Sequence, residues 1–327
     1  MKKIYFSLFL LFVPFLSMAA DDGCSPSLLL YTIDRRCYVT DEQKKKSPYN
    51  AVVALIDNEG DAYCTGTVMK HSSTGKLYVR TAKHCVIDSF DNIEKQLNIR
   101  AVSNRTYTAD FVEAGDFTTV GGEKNLTGDW AFYKINGKYD DGSVSRTHNT
   151  GASFFNLNKV NYEARLVGHG CLKIMSDAEI HNFKQAYIEY LENVFPEYDQ
   201  SIENVKNAGF VEGGVDLDNA MVINFLEDNS ILNRNDCNRL KESVCGFTSS
   251  GERIACQSWG GNSGGPVFDK ENRLMATLTR GKYIIGGPNH ADGYVMSEEC
   301  SINELRGTKS LLDCIQLPRD YDFMDDF

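Results

Sequence analysis

A glycine-rich segment near the C-terminal end of the chain contains a serine with the surroundings that a nucleophile needs. The segment runs from Gly260 to Pro266, and Ser263 lies at its centre. A serine nucleophile needs a hydroxyl on a tight bend, backbone N–H groups that face the developing oxyanion, and space for the substrate. Glycines on both sides supply the unusual backbone angles and the space. The segment predicts Ser263 as the nucleophile and the N–H groups of Gly261 and Ser263 as an oxyanion hole; a glycine-rich strand connector is the structural alternative.

A histidine that could serve as the base lies in the segment 81–85, directly after a predicted strand. This residue, His84, is followed by Cys85, and Cys64 lies on the facing strand of a predicted hairpin. The arrangement indicates a Cys64–Cys85 disulfide that fixes the loop carrying His84. A lone histidine is more often a structural or surface residue than a base. The position of His84 after a strand and beside a disulfide favours the base.

An acidic residue, Asp129, opens the apolar segment 129–135. A carboxylate at the head of an apolar strand is expected to be buried, and it then needs a partner such as a histidine N–H. A turn aspartate after Gly128 is the alternative interpretation. The competing acids, none of which opens so apolar a strand, are Asp88, Asp91, Asp110 and Asp116.

The segments that must position these residues are short, apolar and separated by Gly, Asn and Asp. The clearest predicted strands cover residues 51–56, 62–69, 77–81, 98–102, 107–112, 129–135, 163–168 and 274–278. Short strands without long helical periodicity are typical of an antiparallel barrel or sandwich. One segment differs: the capping box Ser176–Glu179 and apolar residues at helical spacing before Pro196 predict an amphipathic helix over about 178–195. A second helix is predicted near 201–208.

The composition and charge exclude several classes of protein. The 327 residues are 42% hydrophobic, which excludes a disordered chain. The net charge of −11 argues against nucleic acid or an anionic membrane as the main partner. Polar, irregular sequence is expected over residues 21–48.

Residues 1–20 combine a basic start, a short apolar run and small residues, which predicts a secretory signal peptide and a secreted or periplasmic protein. All ten cysteines follow this segment, and an even number in an exported chain indicates disulfides. None has the spacing of a zinc site, so we expect no metal and no cofactor. The other histidines, His169 among them, are expected at the surface or in packing.

The order of the three candidate residues along the chain is His84, Asp129, Ser263, which is the order of the chymotrypsin triad. The accompanying motifs are Cys-Thr-Gly-Thr at 64–67, Thr-Ala-Lys-His-Cys at 81–85, Val-Gly-His-Gly at 167–170 and Gly-Asn-Ser-Gly-Gly-Pro at 261–266. With these motifs the chain resembles the trypsin-like, chymotrypsin-fold serine peptidases. The segment 47–51 and Asn262, in place of the usual aspartate, are similar to the bacterial glutamyl endopeptidase branch. The resemblance covers about 37–300 apart from the helical segment.

The resemblance implies an all-β fold of two antiparallel six-stranded β-barrels, chymotrypsin-like, with the site in the cleft between them and a helical insertion over about 176–242 in the C-terminal half. The peptidase domain would cover 49–300, between an N-terminal segment 21–48 that is a candidate propeptide and a C-terminal extension 301–327. His84 would take the proton of Ser263, and Asp129 would orient the imidazole. The implied partners are protein or peptide substrates, and the expected protein is a monomer without nucleic acid and without membrane insertion after signal cleavage.

Two positions depart from the resemblance. Asn262 cannot pair with a new N-terminal amine, so activation through such a pair cannot operate, although Arg35-Arg36 is an inviting processing site. Leu278 stands where the glutamyl branch has a histidine that binds the substrate acid, which puts glutamate preference in doubt.

Spacing places Gln257, Thr279 and Gly281 along the primary specificity pocket, with Leu278 beside them. Asp292 could reach the pocket floor and favour Lys or Arg. A loop acid beside a glycine is the alternative interpretation of Asp292.

Two other functions are compatible with the same motifs. A non-catalytic binding module would use the helical insertion as its contact surface, but modules of that kind normally lose a triad member and all three are present here. A serine esterase is the second alternative, and the Gly-x-Ser-x-Gly elbow typical of that class is missing. The sequence therefore predicts an exported serine endopeptidase that acts through an acyl-enzyme.

Overall fold

The computed structural model describes residues 36–70, 76–88, 90, 92–115, 119–120, 123–124, 129–139, 146–147, 164–194, 211–212, 228, 233–247, 254–255, 258–268, 272–281, 284–285 and 290–295. The predicted signal peptide, the predicted helix near 201–208, Gln257 and the predicted C-terminal extension lie outside these ranges. Within these ranges, no helix combines the length and the apolar character that crossing a membrane requires.

Most of the described chain is β-structure. The strands are β1 Arg36–Tyr38, β2 Val52–Ile56, β3 Ala62–Lys70, β4 Leu77–Thr81, β5 Gln96–Ala101, β6 Thr106–Ala114, β7 Thr119–Val120, β8 Glu123–Lys124, β9 Ala131–Ile135, β10 Arg146–Thr147, β11 Ala164–Gly168, β12 Val211–Glu212, β13 Lys241–Phe247, β14 Ile254–Ala255, β15 Pro266–Phe268, β16 Arg273–Gly281, β17 Ile284–Ile285 and β18 His290–Val295. The helices are α1 Asp41–Lys44, α2 Asp177–Val194 and α3 Arg234–Cys237, with 3₁₀ turns at Tyr49–Ala51 and Lys83–Cys85.

Six antiparallel strands close a barrel in the order β2-β3-β4-β9-β6-β5. In β5 the side chains of Leu97, Ile99 and Ala101 are buried and alternate with more exposed neighbours, as expected for a strand with one face on a core. Every residue of β2 is buried. Val53 and Leu55 face the barrel interior, and Val52 belongs to a second cluster outside it.

A second sheet contains β1, β13, β11, β15, β16, β18 and β14 in that order, and β14 also pairs with β13. A core cluster joins this sheet to the first barrel. It combines Trp130 and Phe132, next to or within β9, with Val167 of β11 and Phe268 of β15. The all-β architecture is therefore one closed six-stranded barrel packed on a second sheet, and a second six-stranded barrel stays a prediction.

The segment expected to be irregular, residues 21–48, contributes regular structure from Arg36 onward, which corrects that expectation. Strand β1 pairs with β13, and Arg36 is buried with its guanidinium donating to the carbonyls of Leu172 and Lys173 at 3.2 and 2.8 Å. The Tyr38 hydroxyl donates to Asp236 at 2.6 Å. These partners lie far along the chain, so the polar local sequence does not reveal the strand.

Helix α2 begins with the reciprocal bonds of a capping box. The Glu179 N–H donates to the Ser176 hydroxyl at 3.3 Å, and the Ser176 N–H donates to the Glu179 carboxylate at 2.8 Å. The carboxyl end of the predicted insertion, residues 241–242, lies in β13. The helical insertion as a whole stays a prediction, because residues 195–210 and 213–227 lie outside the described ranges.

Candidate active site

The 3₁₀ turn that carries His84 follows β4 directly, and Asp129 lies two residues before β9. The two strands are antiparallel neighbours with Thr81 opposite Ala131. This register brings His84 and Asp129 together, although they are 45 positions apart in sequence. The positioning of this pair is thus a property of the first barrel.

Both oxygens of the Asp129 carboxylate bond to His84. Oδ2 lies 2.7 Å from the ring Nδ1, and Oδ1 accepts the backbone N–H of His84 at 2.9 Å. Asp129 is 1% exposed, whereas the side chain of His84 is about one-third exposed. A carboxylate held in this way fixes the plane of the imidazole and leaves Nε2 directed away from it. Among the competing acids, Asp88 and Asp110 are exposed, while Asp91 and Asp116 lie outside the described residues.

A disulfide joins Cys64 of β3 to Cys85, the residue after His84. One imidazole nitrogen of His84 lies within 4.8 Å of both sulfur atoms. Because both cysteines are in the disulfide, they offer no thiolate to a metal ion. The bridge holds the histidine turn against β3.

A second disulfide, Cys171–Cys237, was not predicted from the sequence. It lies beside the glycine-rich turn, because the N–H of Cys171 donates to the Gly260 carbonyl at 2.9 Å. Cys37 and Cys245 are also disulfide-bonded. The spacing of Cys171 and Cys237 along the chain carries no local signal that would have paired them.

The turn that carries Ser263 is held by hydrogen bonds to its successive carbonyls. The Gly260 carbonyl accepts from Cys171, and the Asn262 carbonyl accepts the N–H of Gly265 at 2.8 Å. In a trans peptide the carbonyl of one residue and the N–H of the next point in opposite directions. The N–H of Gly261 therefore points away from Cys171, which bonds the Gly260 carbonyl, and the N–H of Ser263 points away from Gly265, which bonds the Asn262 carbonyl. Among the described residues, neither of the two N–H groups donates to a backbone carbonyl. Two donors held in this way, without a backbone acceptor among the described residues, suit the stabilisation of an oxyanion.

Glycine is required at two positions in this turn. Gly261 has φ +97° and Gly264 has φ +78°, angles that L-residues rarely adopt. A Cβ atom on Gly261 would collide with the carbonyl of His169, and one on Gly264 would collide with Thr65 and Thr81. The close approach of Gly264 to Thr65 of β3 and Thr81 of β4 brings the Ser263 turn next to the strands that lead to His84.

Ser263 and His84 are both anchored to the same short stretch of β3. The N–H of Thr65 donates to the Ser263 carbonyl at 2.8 Å, and the adjacent Cys64 is bonded to the residue after His84. None of the hydrogen bonds among the described residues joins the Ser263 hydroxyl to the imidazole. Catalytic hydrogen bonds are often long in a ligand-free enzyme and shorten in the substrate complex.

The buried amide of Asn262 occupies the space left by two glycines of the motif at 167–170. A Cβ atom on Gly168 or Gly170 would lie 2.7 Å from an atom of the Asn262 side chain. His169, between these glycines, is buried as packing, which the sequence had offered as one of two possibilities. Burial, with the nearby Lys241 cation, lowers the pKa of His169 to about 3, so this imidazole is neutral.

The predicted specificity residues are placed only partly by the structure. Leu278 of β16 is buried; its N–H donates to the Gly265 carbonyl, and its own carbonyl accepts the N–H of Gly264. Thr279 and Gly281 follow on β16. Asp292 lies in β18, where it is paired with Arg280, and is therefore in a strand rather than in a loop. Gln257 lies outside the described residues.

Comparison with known proteins gives one family match. A family model described as "Lysyl endopeptidase, C-terminal domain" matches residues 31–142. That range contains His84 and Asp129 but not Ser263. No curated protein matches the sequence.

Several solved structures align with the chain at low sequence identity. A Glu endopeptidase in complex with MPD is 12% identical, covers 84% of this chain and 97% of its own, and has a TM-score of 0.48. The protease Anisep from Arthrobacter nicotinovorans is 12% identical over 80% of this chain and 98% of its own, with a TM-score of 0.43. A thermostable serine protease, AL20, from an extremophilic microorganism is 13% identical; the match covers 80% of this chain and 98% of the AL20 chain, with a TM-score of 0.42.

The family match confirms the resemblance to the trypsin-like serine peptidases that the sequence motifs indicated. It supports a peptidase.

Proposed function

We propose that the protein is an exported serine endopeptidase in which Ser263 is the nucleophile, His84 the general base and Asp129 the residue that orients His84. The observation that carries the proposal is the buried Asp129 carboxylate, which bonds both the ring and the backbone of His84. A histidine with a structural role needs neither a carboxylate that fixes the plane of its ring nor an exposed second ring nitrogen. A general base needs both.

The proposed reaction begins when His84 Nε2 accepts the hydroxyl proton as Ser263 Oγ bonds to the carbonyl carbon of the substrate. The carbonyl oxygen becomes an oxyanion that the N–H groups of Gly261 and Ser263 stabilise, and each such donor is typically worth about 10²–10³ in rate. The imidazolium then gives its proton to the departing amine, and an acyl-enzyme remains. Water, deprotonated by His84, releases the acid and regenerates the Ser263 hydroxyl.

The primary specificity that we propose is for a basic side chain rather than for glutamate. Leu278 is buried at the position where the glutamyl branch has its acid-binding histidine, so an apolar side chain replaces the cation-capable one. Asp292 supplies a carboxylate on the strand paired with β16. The name of the matching family, a lysyl endopeptidase, supports the same preference.

Export of the chain belongs to the same proposal. The predicted signal at 1–20 and the disulfides Cys64–Cys85 and Cys171–Cys237 support an oxidising compartment. Because β1 is part of the second sheet and Cys37 is disulfide-bonded, we propose that residues from 36 onward stay with the mature domain. N-terminal sequencing of the exported protein tests this, since a mature terminus beyond residue 36 contradicts it.

The decisive experiment compares the secreted protein with its Ser263→Ala variant and with Ser103→Ala, a change at an exposed serine. We expect the native chain and Ser103→Ala to hydrolyse a denatured proteome and to be labelled by a fluorophosphonate, and Ser263→Ala to do neither. Cuts after Lys and Arg that are lost in Asp292→Asn support the proposed specificity, and cuts after Glu contradict it. Folded protein without turnover favours the binding module, and ester hydrolysis without peptide hydrolysis favours the esterase.

A further inference from the structure

One residue of the first barrel, Thr65, contacts the nucleophile turn at two points. It lies on β3 directly after Cys64 and is fully buried. Its N–H donates to the Ser263 carbonyl at 2.8 Å, and its hydroxyl donates to the Gly261 carbonyl at 2.7 Å. Thr65 thus bonds the peptide that precedes Asn262 and the peptide that follows Ser263.

The Thr65 hydroxyl also accepts a hydrogen bond. The N–H of His169 donates to Oγ1 at 2.9 Å, and the carbonyl of Thr65 accepts the Thr81 hydroxyl at 2.7 Å. The oxygen of this hydroxyl accepts from His169, and its single proton is donated to the Gly261 carbonyl. A hydroxyl with both functions engaged has one orientation, which makes it a stiff link.

The bond to Gly261 acts on the peptide that connects the two candidate oxyanion donors. The peptide between Gly261 and Asn262 has the Gly261 N–H at one end and the Ser263 N–H one residue beyond the other end. A change in the torsion angles on either side of this peptide would change the direction of the Ser263 N–H relative to that of the Gly261 N–H. Glycine at 261 offers little resistance to such a rotation because it lacks a Cβ atom, and its left-handed φ of +97° is held by its hydrogen bonds and contacts.

We propose that Thr65 is a positioning residue, whose hydroxyl helps to fix the Gly261–Asn262 peptide and thereby sets the direction of the two oxyanion donors relative to each other. The inference rests on the proposed function of Ser263. Thr65 does not touch the substrate in this proposal. Its effect reaches the reaction through Gly261 and Ser263, so the loss of its hydroxyl lowers kcat and leaves KM nearly unchanged.

The chain contains a matched control on the same strand. Thr67, two residues from Thr65, is also fully buried, and its hydroxyl has no hydrogen-bond partner within the part of the chain that the structure describes. Thr65→Val and Thr67→Val each replace a buried hydroxyl by a methyl of similar volume. Only the first removes a hydrogen bond to the nucleophile turn.

The experiment measures kcat and KM for a peptide chosen from the proteome digestion, with the concentration of active enzyme set by fluorophosphonate titration. Misplacement of catalytic groups by about 1 Å can cost about 10² in rate. We therefore expect Thr65→Val to lower kcat about tenfold to hundredfold with KM within about twofold, and Thr67→Val to match the native enzyme. Thr65→Ser, which keeps the hydroxyl, should recover most of kcat.

If Thr65→Val does not fold, Thr65→Ala and Thr65→Ser carry the same test, because they differ by a single oxygen atom. The inference is overturned if Thr65→Val keeps its kcat per titrated site, if Thr67→Val loses as much, or if Thr65→Ser is no better than Thr65→Ala. A native chain that neither hydrolyses peptides nor reacts with the fluorophosphonate would instead refute the proposed function, so the two failures are distinguishable.

Discussion

Replacing Asp129 by asparagine tests the orientation of the histidine most directly. In the structure, one carboxylate oxygen accepts the backbone N–H of His84 and the other faces Nδ1 of the ring. The carboxamide of the variant would keep the bond from the backbone N–H of His84 only if its oxygen took the position of the carboxylate oxygen that now accepts this N–H. Its NH₂ group then faces Nδ1 and forces the ring proton onto Nε2, where the imidazole can no longer accept the proton of Ser263.

The magnitude follows from these two contacts. Restoring the productive tautomer requires the amide to rotate and leaves the buried N–H of His84 unsatisfied, at a cost of about 1–3 kcal/mol. The charge-assisted bond that stabilises the imidazolium is also lost, at about 1.5–3 kcal/mol. At 1.36 kcal/mol for each tenfold change in rate, we expect kcat to fall by about 10²–10⁴. The equivalent change in chymotrypsin-type enzymes costs about 10⁴.

The assay is steady-state hydrolysis of a peptide substrate, with folding followed by circular dichroism. KM should stay nearly constant because Asp129 is buried and does not reach the substrate. Asp110→Asn, at an exposed acid of β6 bonded to Gln96, is the control and should retain kcat. A kcat for Asp129→Asn within tenfold of the native value would refute the role assigned to this pair.

Two further predictions concern stability. The pKa of His169 is lowered to about 3, whereas a histidine of the unfolded chain has a pKa of 6.5, so below pH 6.5 the unfolded chain binds a proton that the folded protein excludes. This group should therefore lower the free energy of unfolding by about 1.4 kcal/mol for each pH unit as the pH falls from 6.5 towards 3. Urea unfolding at pH 7, 6 and 5 should show a weaker slope for His169→Gln and the native slope for exposed His181→Gln; equal slopes in all three would contradict it. The disulfides Cys171–Cys237 and Cys64–Cys85 close separations of 66 and 21 residues. Chain entropy predicts that replacing both cysteines of the first by serine lowers the free energy of unfolding by about 4 kcal/mol, and that the same change in the second lowers it by about 3 kcal/mol. Chemical unfolding measures both, and the reverse ranking would argue against an entropic origin.

The local chemistry of the candidate site was readable from the sequence. Glycine at 261 and 264 is a sequence feature because the backbone angles there exclude other residues. The strand 77–81 and the Cys64–Cys85 pair follow from hairpin spacing, since residues that are close in sequence have few ways to pair. The strands of the first barrel were predicted to within about two or three residues at most ends for the same reason.

Contacts between distant segments had no such signal. Strand β1 was read as irregular because the groups that bury Arg36 and Tyr38 come from residues 172–173 and 236. The sequence left both the pocket floor and a loop open for Asp292, because its cross-strand pairing with Arg280 has no local pattern. Thr65 belongs to the motif at 64–67, but no local pattern indicates its bonds to Gly261 and His169.

The sequence by itself determined which residue types could do chemistry here and the order in which the chain presents them, because nucleophile, base, acid and glycine are fixed by composition and spacing. Only the tertiary structure decided that the Asp129 carboxylate is shared between the ring and the backbone of His84, and that the glycine turn is fastened to β3 through Thr65. These are hydrogen bonds of defined direction between segments that meet through sheet pairing and core packing, and direction in space is a property of the folded chain.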